Sequence, residues 1–169
     1  MKHVYLLRHA KSSWEHRGLP DHERPLAPRG RKAAPLVGTY LREQGMAPTL
    51  VLCSSAVRAQ QTLDLVNLAH RAHILVEAEL YLASARALLQ RLRELPAAVP
   101  EVMLVGHNPG MQQLAVLLAG GGAGRERLRE KFPTAALAVL AAAVPSWDQL
   151  DEGAAELRAF VRPRDLKGR

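Results

Sequence analysis

A single cysteine in 169 residues leaves no partner for an internal disulfide, and a chain without disulfides suits a reducing compartment. Aromatic residues are scarce at 4%, so the core must come from aliphatic side chains packed between helices and sheet. No apolar run is long enough to cross a bilayer. The longest uncharged one, Ala135 to Val144, has ten residues, about half of the roughly 20 that a spanning helix needs. There is no low-complexity segment and no internal repeat. The amino terminus does not resemble a signal peptide, because strand residues follow directly on Met1-Lys2. Together these absences lead us to expect a cytoplasmic protein folded as one domain over residues 1–169, a length that supports a proper core.

Ligand sets for metals are also missing. Asp21-His22-Glu23 and the pair His70 and His73 carry metal-capable atoms, but neither joins a matching set at ligand spacing. They read as solvated loop and helix-end residues. The formal charge of +7 raises the question of nucleic acid. The run Arg125-Glu126-Arg127-Leu128-Arg129-Glu130-Lys131 alternates in sign, as a solvated helix face does, and no aromatics interleave to stack bases. The basic excess better suits a cleft that attracts an anionic ligand. Neither a nucleic acid nor a membrane is expected as a partner, and oligomeric state is not legible.

What is present is a set of apolar strands that end in cationic and titratable residues. Val4 to Leu7 delivers Arg8 and His9; Leu50 to Cys53 runs through Ser54-Ser55 into a helix with Arg58 in its first turn; Val102 to Val105 ends at Gly106-His107. Ligands of open α/β sheets sit beyond the carboxyl ends of the strands. A helix amino terminus already favours an anion at Arg58, and Ser54 or Ser55 is suited to cap that helix, as Pro109 is to open the next. Three strand ends thus offer two arginines and two histidines to one place.

Four segments carry a resemblance: the strand followed by Arg-His-Ala-Lys-Ser-Ser-Trp, then Arg24-Pro25-Leu26-Ala27-Pro28-Arg29-Gly30, then Ser-Ser-Ala-Val-Arg-Ala-Gln-Gln-Thr, then Val-Gly-His-Asn-Pro-Gly. In that order, and from Val4 to about Arg162, the chain resembles the histidine phosphatase (phosphoglycerate-mutase-like) superfamily, and within it the short SixA-type phosphohistidine phosphatases. The resemblance implies His9 as the nucleophile that takes the phosphoryl group, with Arg8, Arg58 and His107 holding its oxygens. It implies no cofactor and no metal, and a phosphohistidine-bearing partner such as a phosphotransfer or phosphocarrier domain. Three departures stand out. Ala10 replaces a common glycine, Glu15 stands where larger relatives often have asparagine, and no carboxylate matches the general acid of many relatives.

The chemistry of the residues agrees. Phosphoryl transfer spreads charge over three equatorial oxygens and is served by preorganised positive donors. His9 must attack through a neutral nitrogen, which neighbouring cations favour by lowering its pKa, and its other nitrogen needs an acceptor such as a backbone carbonyl. His107 is expected to be protonated, as a donor to phosphate. Ser12 either adds a hydroxyl to the phosphate pocket or serves the turn, and Trp14 either packs the first strand or lines the mouth. The alternatives are a general phosphomonoesterase or phosphoglycerate mutase, and a phosphoprotein-binding domain without turnover. A phosphoester wants a general acid, for which Glu77 and above all Glu79 are the candidates. Cys53 and Arg58 have four residues between them, with no glycine, which does not fit the loop of a cysteine phosphatase. Cys53 reads as a small buried residue.

The expected fold is α/β, a three-layer sandwich with a mainly parallel sheet of about six strands and helices on both faces. Strands are expected at His3 to Leu7, Leu50 to Cys53, Ile74 to Val76, Glu101 to Val105, and near Ala135 to Ala143 and Ala155 to Val161. Helices are expected at Arg31 to Gln44, Val57 to Leu68, Ala85 to Leu95 and Gly110 to Leu118. Gly120 to Gly124 reads as a flexible connector, since no strand precedes it and no Lys-Ser or Lys-Thr follows.

Overall fold

Strand and helix alternate through most of the chain in the computed structural model, which describes residues 1–68 and 72–168; His70 lies outside them. Strand β1 (Lys2–Arg8) is followed by α1 (Pro28–Glu43), β2 (Leu50–Ser54), α2 (Val57–Val66), β3 (His73–Glu77), α3 (Ala85–Arg93), β4 (Glu101–Gly106) and α4 (Gly110–Leu118). The remainder comprises β5 (Ala119–Gly121), α5 (Arg125–Glu130), β6 (Leu137–Ala142), β7 (Ala155–Val161) and α6 (Pro163–Leu166). Seven strands form one sheet in the order β3-β2-β4-β1-β6-β7-β5. β6 pairs antiparallel with β1 and β7, and all the other pairings are parallel.

Each central strand is apolar on both faces, as a sheet covered on both sides requires. Val4 and Leu6 of β1 face the layer of α3, α4 and α5, where they join Leu88, Leu114 and Leu128. Tyr5 and Leu7 face α1 and α2, alongside Val37, Leu41 and Leu63. Leu6 and Leu7 are fully buried, so truncating either to alanine costs about 2–5 kcal/mol.

One segment departs from expectation, and an alanine-rich one meets it against its own propensity. The Gly120 stretch is not simply a connector: its start forms the edge strand β5, paired with β7. A Cβ at Gly120 would lie 2.3 Å from the Gly153 carbonyl oxygen, so glycine here permits a close approach of two backbones. The alanine-rich segment before Pro145 is strand β6 despite its helical propensity, because it fills a fully buried slot between β1 and β7. Element ends shift slightly as well. α1 opens on Pro28 rather than at Arg31, and α2 stops at Val66, where Asn67 turns into the left-handed region at φ 51°.

Candidate active site

The carboxyl ends of β1, β2 and β4 lie side by side, since β4 pairs in parallel with both of the others. This brings His9, Ser54 and His107 together from three distant parts of the sequence. The first residues beyond β1 are pinned from several directions. His9 N donates to Gly106 O at 3.0 Å, and Ala135 N donates to the carbonyls of Arg8 and His9 at 3.1 and 3.0 Å. Ala10 N donates to Thr62 Oγ1 at 2.9 Å, and that hydroxyl donates to Arg58 O. The His9 backbone is thus tied to β4, α2 and the lead into β6.

His9 is 7% exposed. Its Nδ1 lies 2.8 Å from Ala10 O, and a carbonyl only accepts, so Nδ1 carries the proton and Nε2 keeps its lone pair. Burial, reinforced by the charges of Arg58, Arg8 and Arg24, lowers the His9 pKa to about 4 against the pull of the Ala10 bond. The neutral ring and the carbonyl acceptor match the sequence-based reading, although burial is the main cause.

His107 differs from its expected state. Burial first, then the nearness of the titratable His9 ring and the charges of Arg58 and Arg8, bring its pKa down to about 3 despite Asp21, so the ring is neutral near pH 7. Its Nε2 lies 2.7 Å from Ser54 Oγ, which also accepts from Ala56 N at 3.2 Å. With the Ser54 hydroxyl donating to Nε2, the ring proton sits on Nδ1, and Nδ1 is buried without a hydrogen-bond partner. Arg8 shows the same feature. Its Nη1 donates to Phe132 O at 3.0 Å, while its Nε is buried and unpartnered. Buried polar groups are nearly always satisfied. Two buried nitrogens without a protein partner thus stand beside His9, one on the residue before it and one on a ring 5.1 Å from its own.

Arg58 is buried at the second position of α2, but neither Ser54 nor Ser55 caps that helix by a side-chain bond. Nη1 and Nη2 of Arg58 bind Asp21 through its carbonyl oxygen at 2.7 Å and Oδ2 at 2.9 Å. Asp21 is therefore no solvated loop residue. It also accepts from Arg24 Nη1 at 2.8 Å and from the Tyr81 hydroxyl. The Tyr81 bond, followed by those of Arg24 and Arg58, holds its carboxyl well below the usual range. Arg24, itself buried, binds Ser13 O and the Ser12 hydroxyl, and its guanidinium stacks 3.3 Å from the centre of the exposed Trp14 ring. Trp14 thus belongs to the rim, and the Ser12 hydroxyl is engaged by Arg24. Tyr81 stands between His22 and His107, with ring centres 4.8 and 5.4 Å away.

Sequence reasoning assigned no site role to Asp21, Arg24, Ser54, Thr62 or Tyr81. Their roles depend on contacts across 12 to 60 residues; Arg24, Ser54 and Thr62 lie within quoted motifs, whereas Asp21 and Tyr81 carried no such signal. Neither candidate acid is among the groups that bear on the His9 or His107 charge. Glu77 is in a two-bond ion pair with Arg91, and Glu79 is exposed on the turn Ala78–Leu80. Cys53 is wholly buried, and burial pushes its thiol up to about 12. Among the described residues no group of three or more His, Cys, Asp or Glu side chains is arranged to hold a metal, and no helix is long and apolar enough to cross a membrane.

Relatives match this architecture. An uncharacterized protein of Mycobacterium tuberculosis is 39% identical over 168 residues, which span 94% of this chain and all of that one. A SixA protein from Nakamurella multipartitia, assigned as a phosphohistidine phosphatase, superposes with a TM-score of 0.85 at 29% identity over 96% of each chain. A protein histidine phosphatase SixA complexed with tungstate gives 0.78 at 25% identity, covering 98% of this chain and 99% of that one. Residues 4–103 match the family of the histidine phosphatase superfamily (branch 1). The chain belongs to the histidine phosphatase superfamily, as a phosphatase-type hydrolase of the SixA kind.

Proposed function

We propose that this protein is a metal-independent phosphohistidine phosphatase that acts on a phosphohistidine displayed by a partner protein, a phosphotransfer or phosphocarrier domain. The observation that carries this reading is the gathering of Arg8, Arg58, Arg24 and His107 around a buried, neutral His9 whose Nδ1 is fixed on Ala10 O, which leaves Nε2 as the nucleophilic nitrogen. His9 Nε2 attacks phosphorus, the substrate P–N bond breaks, and the substrate imidazole leaves with its own ring proton. Water then attacks the phosphoryl group on His9, releasing inorganic phosphate and restoring the neutral ring. Arg8 and His107 hold the equatorial oxygens. Arg58 adds positive charge, which Asp21 partly balances, and the anion itself favours protonation of His107 once bound. Tungstate in the related SixA is an oxyanion of phosphate-like shape, in keeping with such a pocket.

The choice of phosphohistidine over a phosphoester rests on the missing acid. Asp21 is the carboxylate that bears on His107, and its three donors keep it ionised. An alkoxide leaving group needs a proton, whereas imidazole leaves neutral, with a conjugate acid of pKa about 6.5. The test compares phosphate release from a histidine phosphotransfer domain phosphorylated with phosphoramidate against phosphoserine peptides, sugar phosphates and phosphoglycerates. Phosphohistidine should give the far higher kcat/KM, and Glu79→Gln should leave that reaction nearly unchanged. Preference for a small phosphoester, with collapse of activity in Glu79→Gln, would transfer the assignment to a phosphomonoesterase.

A further inference from the structure

A second concentration of positive charge lies outside the His9 site. A cavity of about 390 Å³ opens between α1, α6 and the segment from α5 to Thr134. Lys11, Arg29, Lys32, Lys131, Arg164 and Lys167 line it, and among the described residues none of these six has a carboxylate within ion-pair distance. Arg127 and Arg162 complete the wall, both anchored on Asp165 at 3.1 and 2.9 Å. Arg162 supplies three of the bonds to that carboxylate, one through its backbone N. Among the described residues, eight lining cations thus stand against one lining carboxylate, Glu130, and Asp165 behind Arg127 and Arg162, a local excess of about six that nearly equals the +7 of the whole chain.

Such crowding of like charge opposes folding unless an anion offsets it. The shape favours one kind of anion. The cations come from α1, α6, Lys11 and the segment around Lys131 to one cavity, and linked phosphates, which put several charges within a few ångströms of one another, match such a cluster more closely than carboxylates spaced along a chain. Leu36, Pro133 and Pro163 add apolar lining for a less polar portion. None of Arg8, His9, Arg58 and His107 lines the cavity. Lys11 connects the two places: it lies two residues beyond His9, and a Cβ on Gly30 would fall 2.2 Å from its carbonyl oxygen, so its backbone rests directly on α1.

We propose that this cavity is a second anion site that binds a small ligand bearing two or more linked phosphates, of nucleotide size. The inference is independent of what the His9 site hydrolyses. The test is calorimetric titration of the full chain with tripolyphosphate and with ATP at 50 mM salt. Binding should be one to one, weaken at 200 mM salt, and persist in His9→Ala. The double variant Lys32→Glu/Arg164→Glu should lose at least about tenfold in affinity, and the neutral pair Lys32→Gln/Arg164→Gln should lose less, which keeps the test readable if the reversal variant folds poorly. Absence of saturable binding, insensitivity to both double variants, loss of binding in His9→Ala, or equal affinity for a hexaglutamate peptide would each overturn the proposal.

Discussion

Lowering the pH should unfold this protein through two buried rings. His9 and His107 carry pKa values of about 4 and about 3 in the folded state, against about 6.5 in an unfolded chain. Between those values the unfolded chain binds more protons, so stability rises with pH. The stabilisation from keeping each ring neutral is present above pH 7 and is lost progressively as pH falls below 6.5. At pH 5 both rings are still almost wholly unprotonated when folded. The loss is therefore set by the unfolded chain, at about 2 kcal/mol per ring. The pair together removes about 4 kcal/mol between pH 7 and pH 5, a large share of the 5–15 kcal/mol typical of a domain. Asp21 and Asp165 have lowered pKa values, so their contributions are lost in a more acidic range, around and below pH 4. Urea unfolding at pH 7 and pH 5 should show the double variant His9→Ala/His107→Ala less sensitive to this change than the wild type by about 4 kcal/mol. Equal sensitivity in the two proteins, within about 1 kcal/mol, would refute the account of neutral burial.

Three further outcomes follow from the site. His9→Ala should abolish turnover with the fold retained, and the wild-type intermediate trapped with labelled substrate should be acid-labile and alkali-stable; activity above a few per cent in the variant would end the covalent scheme. Neither EDTA nor a thiol-alkylating agent should inhibit, since Cys53 is buried with a thiol at about 12, whereas vanadate should; activity lost in EDTA and restored by a divalent ion would contradict the assignment. Ser54→Ala removes the partner of His107 Nε2 and should lower kcat/KM about 10- to 100-fold, with a changed tautomer signature in the nitrogen NMR of His107.

The parts of the site carried by strand ends were legible in the sequence. Arg8, His9 and His107 follow directly on apolar runs, and Arg58 follows one through a four-residue turn, so locating the strands located these side chains. The sheet was legible for the same reason, with β7 recovered over nearly its full length. What the sequence hid depends on distance. Asp21 reads as a solvated acid in a proline-rich loop until the fold brings Arg58 and Tyr81 onto it from 37 and 60 residues away. The charge state of His107 also escaped, because motif reading assigns a role in the bound complex, and burial decides the proton in its absence. β5 was invisible because its pairing depends on β7 passing close to a glycine backbone, which leaves no mark in the three residues themselves.

The central place of β1 has a consequence for how the protein is made. Its residues pair with Glu101–Gly106 on one side and Leu137–Ala142 on the other, so this strand waits for partners from far down the chain. At about 5–20 residues per second, Val4, Leu6 and Leu7 remain without a second neighbour for roughly ten seconds or more. β6 and β7 are neighbours in sequence and can form a hairpin soon after emerging. The nascent chain therefore leaves one edge of this strand uncovered until β6 is made, and Arg8-His9 is enclosed only when Ala135 and β6 arrive. A ribosome stalled between residues 107 and 130 would hold a chain with Arg8, His9, Arg58 and His107 all synthesised and no pocket assembled.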